Sequence, residues 1–190
     1  MHRAEVHIDQ VTDPRLETIF RETVARYIFE KPVTIVLRGT RIKGSTMQAQ
    51  PIITFSTLFA ESSRFRIRLG QYVRHSHSLL VSKLETDVLT GWFAHELGHV
   101  HDYHQRSALS MVWYGIRYVL SRKYRRAVEH KADEIAIAQG FYEELMATKQ
   151  FLFTGDGISP AYRKRLQKYY MSMDDLTAHM KATVMIDPID

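Results

Sequence analysis

The chain has 190 residues, 45% hydrophobic and 25% charged, a balance that excludes disorder and low-complexity behaviour and leaves room for one well-buried core. It has no cysteine, which excludes disulfides and Cys-based zinc or redox sites; a metal would have to be held by His, Asp or Glu. The net charge is +5, with nine Lys or Arg against the single acid Glu61 between Lys31 and Lys83, but no recognition motif accompanies it, so no specific nucleic-acid partner is expected.

The first residues, MHRAEVHIDQ, hold no apolar signal-peptide core, and the expectation is a cytoplasmic protein. With no repeat or linker in view, one domain is expected over 1–190: an αβ half (1–104) and a helical half (105–190). Residues 4–9 read as a short strand. Asp13-Pro14 pairs a cap with a first-turn proline, and Leu16, Ile19, Phe20, Val24, Tyr27 and Ile28 follow at helical spacing until Lys31-Pro32. Residues 33–37 form a β-branched strand, Gly39 and Gly44 bracket a turn, and 46–53 supply a return strand. Residues 64–69 alternate strictly between arginine and apolar side chains, which predicts a half-buried strand at a sheet edge.

Ser82 and Glu85 fit a capping box and place a helix start near Lys83, running to about Tyr103. Further helices are expected near 107–121, 124–139 and 160–171, with Asp174 capping a last short one. Residues 108–120 are too short to span a bilayer. They are expected as a core helix burying Met111, Val112, Trp113, Ile116, Val119 and Leu120, the alternative being peripheral contact with an anionic membrane. The tail, 182–190, could reach back into a cleft.

His95-Glu96-Leu97-Gly98-His99 is an HExxH motif. On an ideal helix the two histidines lie about 40° apart, so both imidazoles reach one ion, and Glu96 sits beside them to take a proton from an activated water. Leu89, Phe93, Leu97 and Val100 stripe the opposite face. A third ligand is needed, since catalytic zinc usually has three protein ligands and an open position. His101 and His104 point elsewhere and read as surface residues; His75 and His77 are poor ligand candidates. Glu129 and Asp133 share a face of the later helix, so Glu129 can close the coordination sphere while Asp133 accepts a hydrogen bond from a ligand imidazole. Gly91 and Gly98 share a face of the first helix and Ala132 and Ala136 one of the second, so small residues are expected to meet and let the backbones approach. The oxyanion of a peptide-hydrolysis intermediate needs a donor; Tyr162, Arg163, Arg165, Tyr169 and Tyr170 are candidates, Tyr162 and Arg165 foremost.

HELGH followed by E-H-K-A-D resembles the gluzincin zinc metallopeptidases, above all the branch of CAAX prenyl proteases and HtpX-type heat-shock proteases with its ExxAD second motif. The resemblance implies one Zn2+ per chain on His95, His99 and Glu129, with Glu96 as general base and Asp133 behind the ligands. It implies a peptide or protein substrate and a zincin-like α+β fold: a small mixed sheet, a backing helix, an active-site helix and a helical C-terminal half. Residues 64–69 would be the strand that substrate joins. Pro160 and Arg165 match the spacing of that branch's carboxy-terminal element, with Ser159 where it has histidine, and its membrane helices are missing. ImmA/IrrE-type regulatory metallopeptidases are also similar, though their later motif usually has Asn at the place of Asp133. A silent zinc-containing binding domain is a further alternative, less favoured because Glu96 is present, and a basic nucleic-acid- or lipid-binding protein whose HExxH is accidental is the last.

Overall fold

The computed structural model describes residues 2–42, 44–52, 63–76 and 79–186. Strand β1 (Glu5–Asp9) leads to helix α1 (Pro14–Arg26), whose start is set as expected: the Asp13 carboxylate accepts from the Arg15 N–H and Pro14 occupies the first turn. Leu16, Ile19, Phe20 and Val24 are buried along one face. The helix stops at Arg26, earlier than Lys31-Pro32, and Ile28 is exposed rather than part of the stripe.

Strands β2 (Val33–Gly39), β3 (Met47–Pro51) and β4 (Ser63–Leu69) complete a sheet of order β1-β2-β4-β3. β1, β2 and β4 run parallel, with Val36 opposite Arg66, and β3 runs antiparallel to β4, with Ala49 opposite Ile67. The segment expected as a return strand forms β3, which pairs with β4 and ends at Pro51; residue 53 lies outside the described residues. One expectation is corrected here. The Arg64–Leu69 segment is internal, paired on both sides, and β3 holds the edge. Its alternation is real, with Phe65, Ile67 and Leu69 buried, but alternation reports which face is covered and not whether the strand's sides are paired.

Helix α2 (Thr86–His104) follows a 3-10 turn at Val81–Lys83. The expected capping box does not form: Glu85 caps the helix without a side-chain bond, and Ser82 lies in the turn. The Arg15 guanidinium holds this entry instead, donating to the carbonyls of Ser82 and Leu84 and to the Thr86 hydroxyl. Beyond α2 come α3 (Ala108–Leu120), α4 (Arg122–Ala138), α5 (Tyr142–Thr154), α6 (Pro160–Tyr169) and α7 (Met173–Ile186). The fold is α+β, with the sheet half preceding a helical half.

α5 had no counterpart in the sequence reading. Its buried positions are Leu145, Thr148, Lys149 and Leu152, so the helical stripe exists but half of it is polar. α7 is also longer than expected, and it is Ser172 and Asp175 that exchange reciprocal capping bonds at its start. None of its described residues lines the cleft below, and residues 187–190 lie outside the described residues.

α3 overturns the core-helix expectation. Val112 (58%), Trp113 (66%), Val119 (70%) and Leu120 (79%) are exposed, Ile116 is 43% exposed, and Tyr114 is the buried aromatic. The opposite happens to α2, which is buried on nearly every side between α1, α4, α5 and β3.

Candidate metal centre

α2 and α4 meet at Gly98. A Cβ built there would lie 2.3 Å from the main-chain oxygen of Ala132, so only glycine permits this approach. The small-residue expectation therefore holds for Gly98 and Ala132. Gly91 serves a different neighbour: a Cβ there would lie 2.0 Å from the Glu144 oxygen on α5. Gly98→Ala has no flexible neighbour to displace, and is expected to push α4 away, draw Glu129 off the histidines and lower metal affinity together with the melting temperature. Overpacking of this kind costs about 1–3 kcal/mol. Thermal melts and metal titration of the variant check both effects.

The close approach brings three donors together. Glu129 Oε2 lies 3.2 Å from His95 Nε2 and 3.3 Å from His99 Nε2, and all three side chains are buried. One ligand atom from each lies within 4.8 Å of the others, the clustering that a metal ion requires. Two imidazole nitrogens and one carboxylate oxygen form a donor set that could hold a divalent transition-metal ion, zinc or iron among them.

A shell of hydrogen bonds stands behind these donors. His95 Nδ1 donates to Asp133 Oδ1 at 2.8 Å, as the sequence suggested, and Lys149 Nζ donates to Asp133 Oδ2 at 2.7 Å. Asp133 and Lys149 are both buried. The Tyr118 hydroxyl donates to Glu129 Oε1 at 2.6 Å, so Glu129 turns one oxygen to the histidines and the other to α3. The Tyr103 ring stacks on His99, and Tyr170 lies against His95. Lys149 and Tyr118 were not singled out in the sequence: one lies on the unrecognised α5, the other eleven residues before Glu129 across a helix junction, where no local spacing marks the contact.

Glu96 is buried beside the triad, and its Oε2 accepts the Ala49 N–H of β3 at 2.6 Å. Burial pushes its pKa above the usual carboxylate value, against the pull of His99 and His95. Burial alone would lower the His95 pKa, but the Asp133 carboxylate, with hydrogen bonds to Asp133 and Glu129, outweighs it and pushes it up to about 10. Burial likewise opposes ionisation of Asp133, yet Lys149 and His95 hold it down at about 2. Metal uptake is thus expected to displace a proton held by His95 at neutral pH. Apparent affinity should rise with pH, and calorimetry in buffers of different ionisation enthalpy should report about one proton released per metal bound.

A cleft of about 470 Å³ opens onto His99, Glu129 and Glu96, walled by β3, α2, α3, α4 and by Arg165 and Tyr170. Of the expected oxyanion donors, Arg165 and Tyr170 line this cleft, whereas Tyr162 is buried among the core residues. Arg163 donates to the Gly155 carbonyl, and Tyr169 lies beside Arg125 and Lys168. His75 is exposed with its ring near Tyr162, and residue 77 lies outside the described residues. His101 and His104 are not plain surface residues: both are half-buried against Phe29, and His104 also meets Phe65.

Comparison of the chain with family models, curated proteins and solved structures finds no match. Among the described residues, no helix is long and apolar enough to cross a membrane.

Proposed function

We propose that this protein is a zinc-dependent metallopeptidase of gluzincin type, with His95, His99 and Glu129 as ligands of one Zn2+ and Glu96 as general base. The observation that carries the reading is the convergence of the two HExxH imidazoles with Glu129, while Glu96 stands beside them on the cleft wall. Bound zinc would supply a Lewis acid that acidifies water and polarises a peptide carbonyl.

The chain's own groups do the rest. Glu96 takes a proton from the attacking water and delivers it to the leaving amine nitrogen; its raised pKa suits a group that must both accept and donate. The Ala49 N–H fixes the carboxylate that performs this transfer. Asp133, anchored by Lys149, orients the His95 ring, and Tyr118 orients Glu129. Arg165 and Tyr170 are the donors on the cleft wall available to a developing oxyanion.

The substrate is an extended polypeptide lying along β3. Among the described residues that strand is an edge of the sheet, and Met47, Ala49 and Pro51 line the cleft, so an extended peptide can lie alongside it. With the Ala49 N–H held by Glu96 and none at Pro51, the peptide would pair through the Met47 N–H and the main-chain carbonyls. This moves the substrate strand from the arginine-rich β4 to its neighbour.

The test is cleavage of an unstructured protein such as casein by the zinc-loaded enzyme. Cleavage stopped by a chelator, restored by zinc and lost in Glu96→Gln supports the reading. Cleavage equal in wild type and Glu96→Gln, or none by fully loaded wild type across a set of unfolded substrates, would overturn it.

A further inference from the structure

α3 presents its apolar side to solvent. On an ideal helix Val112, Trp113, Ile116, Val119 and Leu120 fall within about 120° of arc, with Arg117 at the border. Tyr114 and Tyr118 point the other way, toward the ring of Tyr103 and the carboxylate of Glu129. Contiguous apolar surface of this kind on an otherwise well-packed chain marks a contact surface.

The charge around it identifies what it contacts. From Ala108 to Val128 there are five Lys or Arg and no acid; Arg117, Arg122 and Lys123 are exposed, while Arg126 shares a pocket with Asp174 and Asp175. A second copy of the same patch would bring no acid to meet these cations. An anionic lipid surface meets both halves of the pattern at once: the apolar arc enters the headgroup boundary while the basic residues pair with lipid phosphate and carboxylate groups.

We propose that α3 is an interfacial anchor that seats this protein on anionic membrane surfaces. The inner side of the same helix, at Met111, Tyr114, Gly115 and Tyr118, walls the cleft, and Val119 at the edge of the apolar arc also borders it, so the cleft opens next to the membrane. The anchor stands on exposure and charge and does not depend on the proposed peptidase activity.

The experiment is co-sedimentation of the full chain with vesicles of phosphatidylcholine alone and of phosphatidylcholine mixed with phosphatidylserine. Wild type should bind the mixed vesicles and leave the neutral ones, and brominated lipid should quench Trp113, since Trp92 is only 6% exposed. Arg122→Gln/Lys123→Gln should lower partitioning about 25-fold, from about fivefold per basic residue. Trp113→Ser/Leu120→Ser should abolish it with the melting temperature kept, both positions being exposed. Failure of wild type to bind mixed vesicles, or binding without tryptophan quenching, would overturn the proposal. So would a concentration-dependent dimer that the Trp113→Ser/Leu120→Ser variant loses, because a second copy would then cover this face. The quenching arm needs no variant.

Discussion

Glu96→Gln is expected to keep its metal and lose at least a hundredfold in kcat, with little change in KM. The amide matches the carboxylate in shape, and its oxygen can still accept the Ala49 N–H, so β3 stays docked against α2. The side chain no longer takes a proton. Positioned general acid–base groups contribute about 10²–10⁴ in rate, and among the described residues Glu96 is the carboxylate on the cleft wall that is not itself one of the three clustered donors. Steady-state kinetics on a cleaved peptide, with metal content measured on the same preparation, separates loss of the base from loss of the ion. A variant that loses its metal as well would make Glu96 part of the ligand system instead.

The second large effect is structural. Asp133 and Lys149 form a buried ion pair whose carboxylate also receives the His95 N–H. Asp133→Asn leaves the ammonium of Lys149 without its counter-ion in a buried site, and breaking such a pair costs about 3–5 kcal/mol. In a domain of this size that lowers the melting temperature by roughly 10 °C or more. Melts in chelator isolate this effect from metal binding. Lys149→Met leaves the Asp133 carboxylate with the His95 imidazole as its one remaining partner, while the double variant removes both charges of the pair, so its cost should fall below the sum of the two singles. Additive costs would show that the two charges do not act as a pair. Metal affinity of Asp133→Asn should also drop about 10–100-fold, because the His95 ring loses its orienting acceptor.

The candidate metal centre was the most legible part of the sequence because helical geometry sets its spacing. A spacing of four positions from His95 to His99, and the same from Glu129 to Asp133, places each pair on one face whatever surrounds the helix. Gly98 was legible for a related reason: a mid-helix glycine is costly, and close approach of α4 repays it. Lys149 was not legible, since a lysine and a threonine in a helical stripe read as solvent-facing until a buried carboxylate and a main-chain carbonyl are known to receive them. Strand order was hidden too. The arginines of β4 look like an edge, but sheet order depends on pairings made across long stretches of chain. The apolar run of α3 reads as a buried core helix, yet in the structure it meets solvent, because a stripe of apolar residues does not state what covers it.

The most direct test is metal content per chain after zinc loading and gel filtration, for wild type, Glu129→Ala and Glu96→Gln. A His95, His99 and Glu129 site predicts about one zinc in wild type and in Glu96→Gln, and a clear loss in Glu129→Ala. No zinc in loaded wild type, or full occupancy in Glu129→Ala, would contradict it.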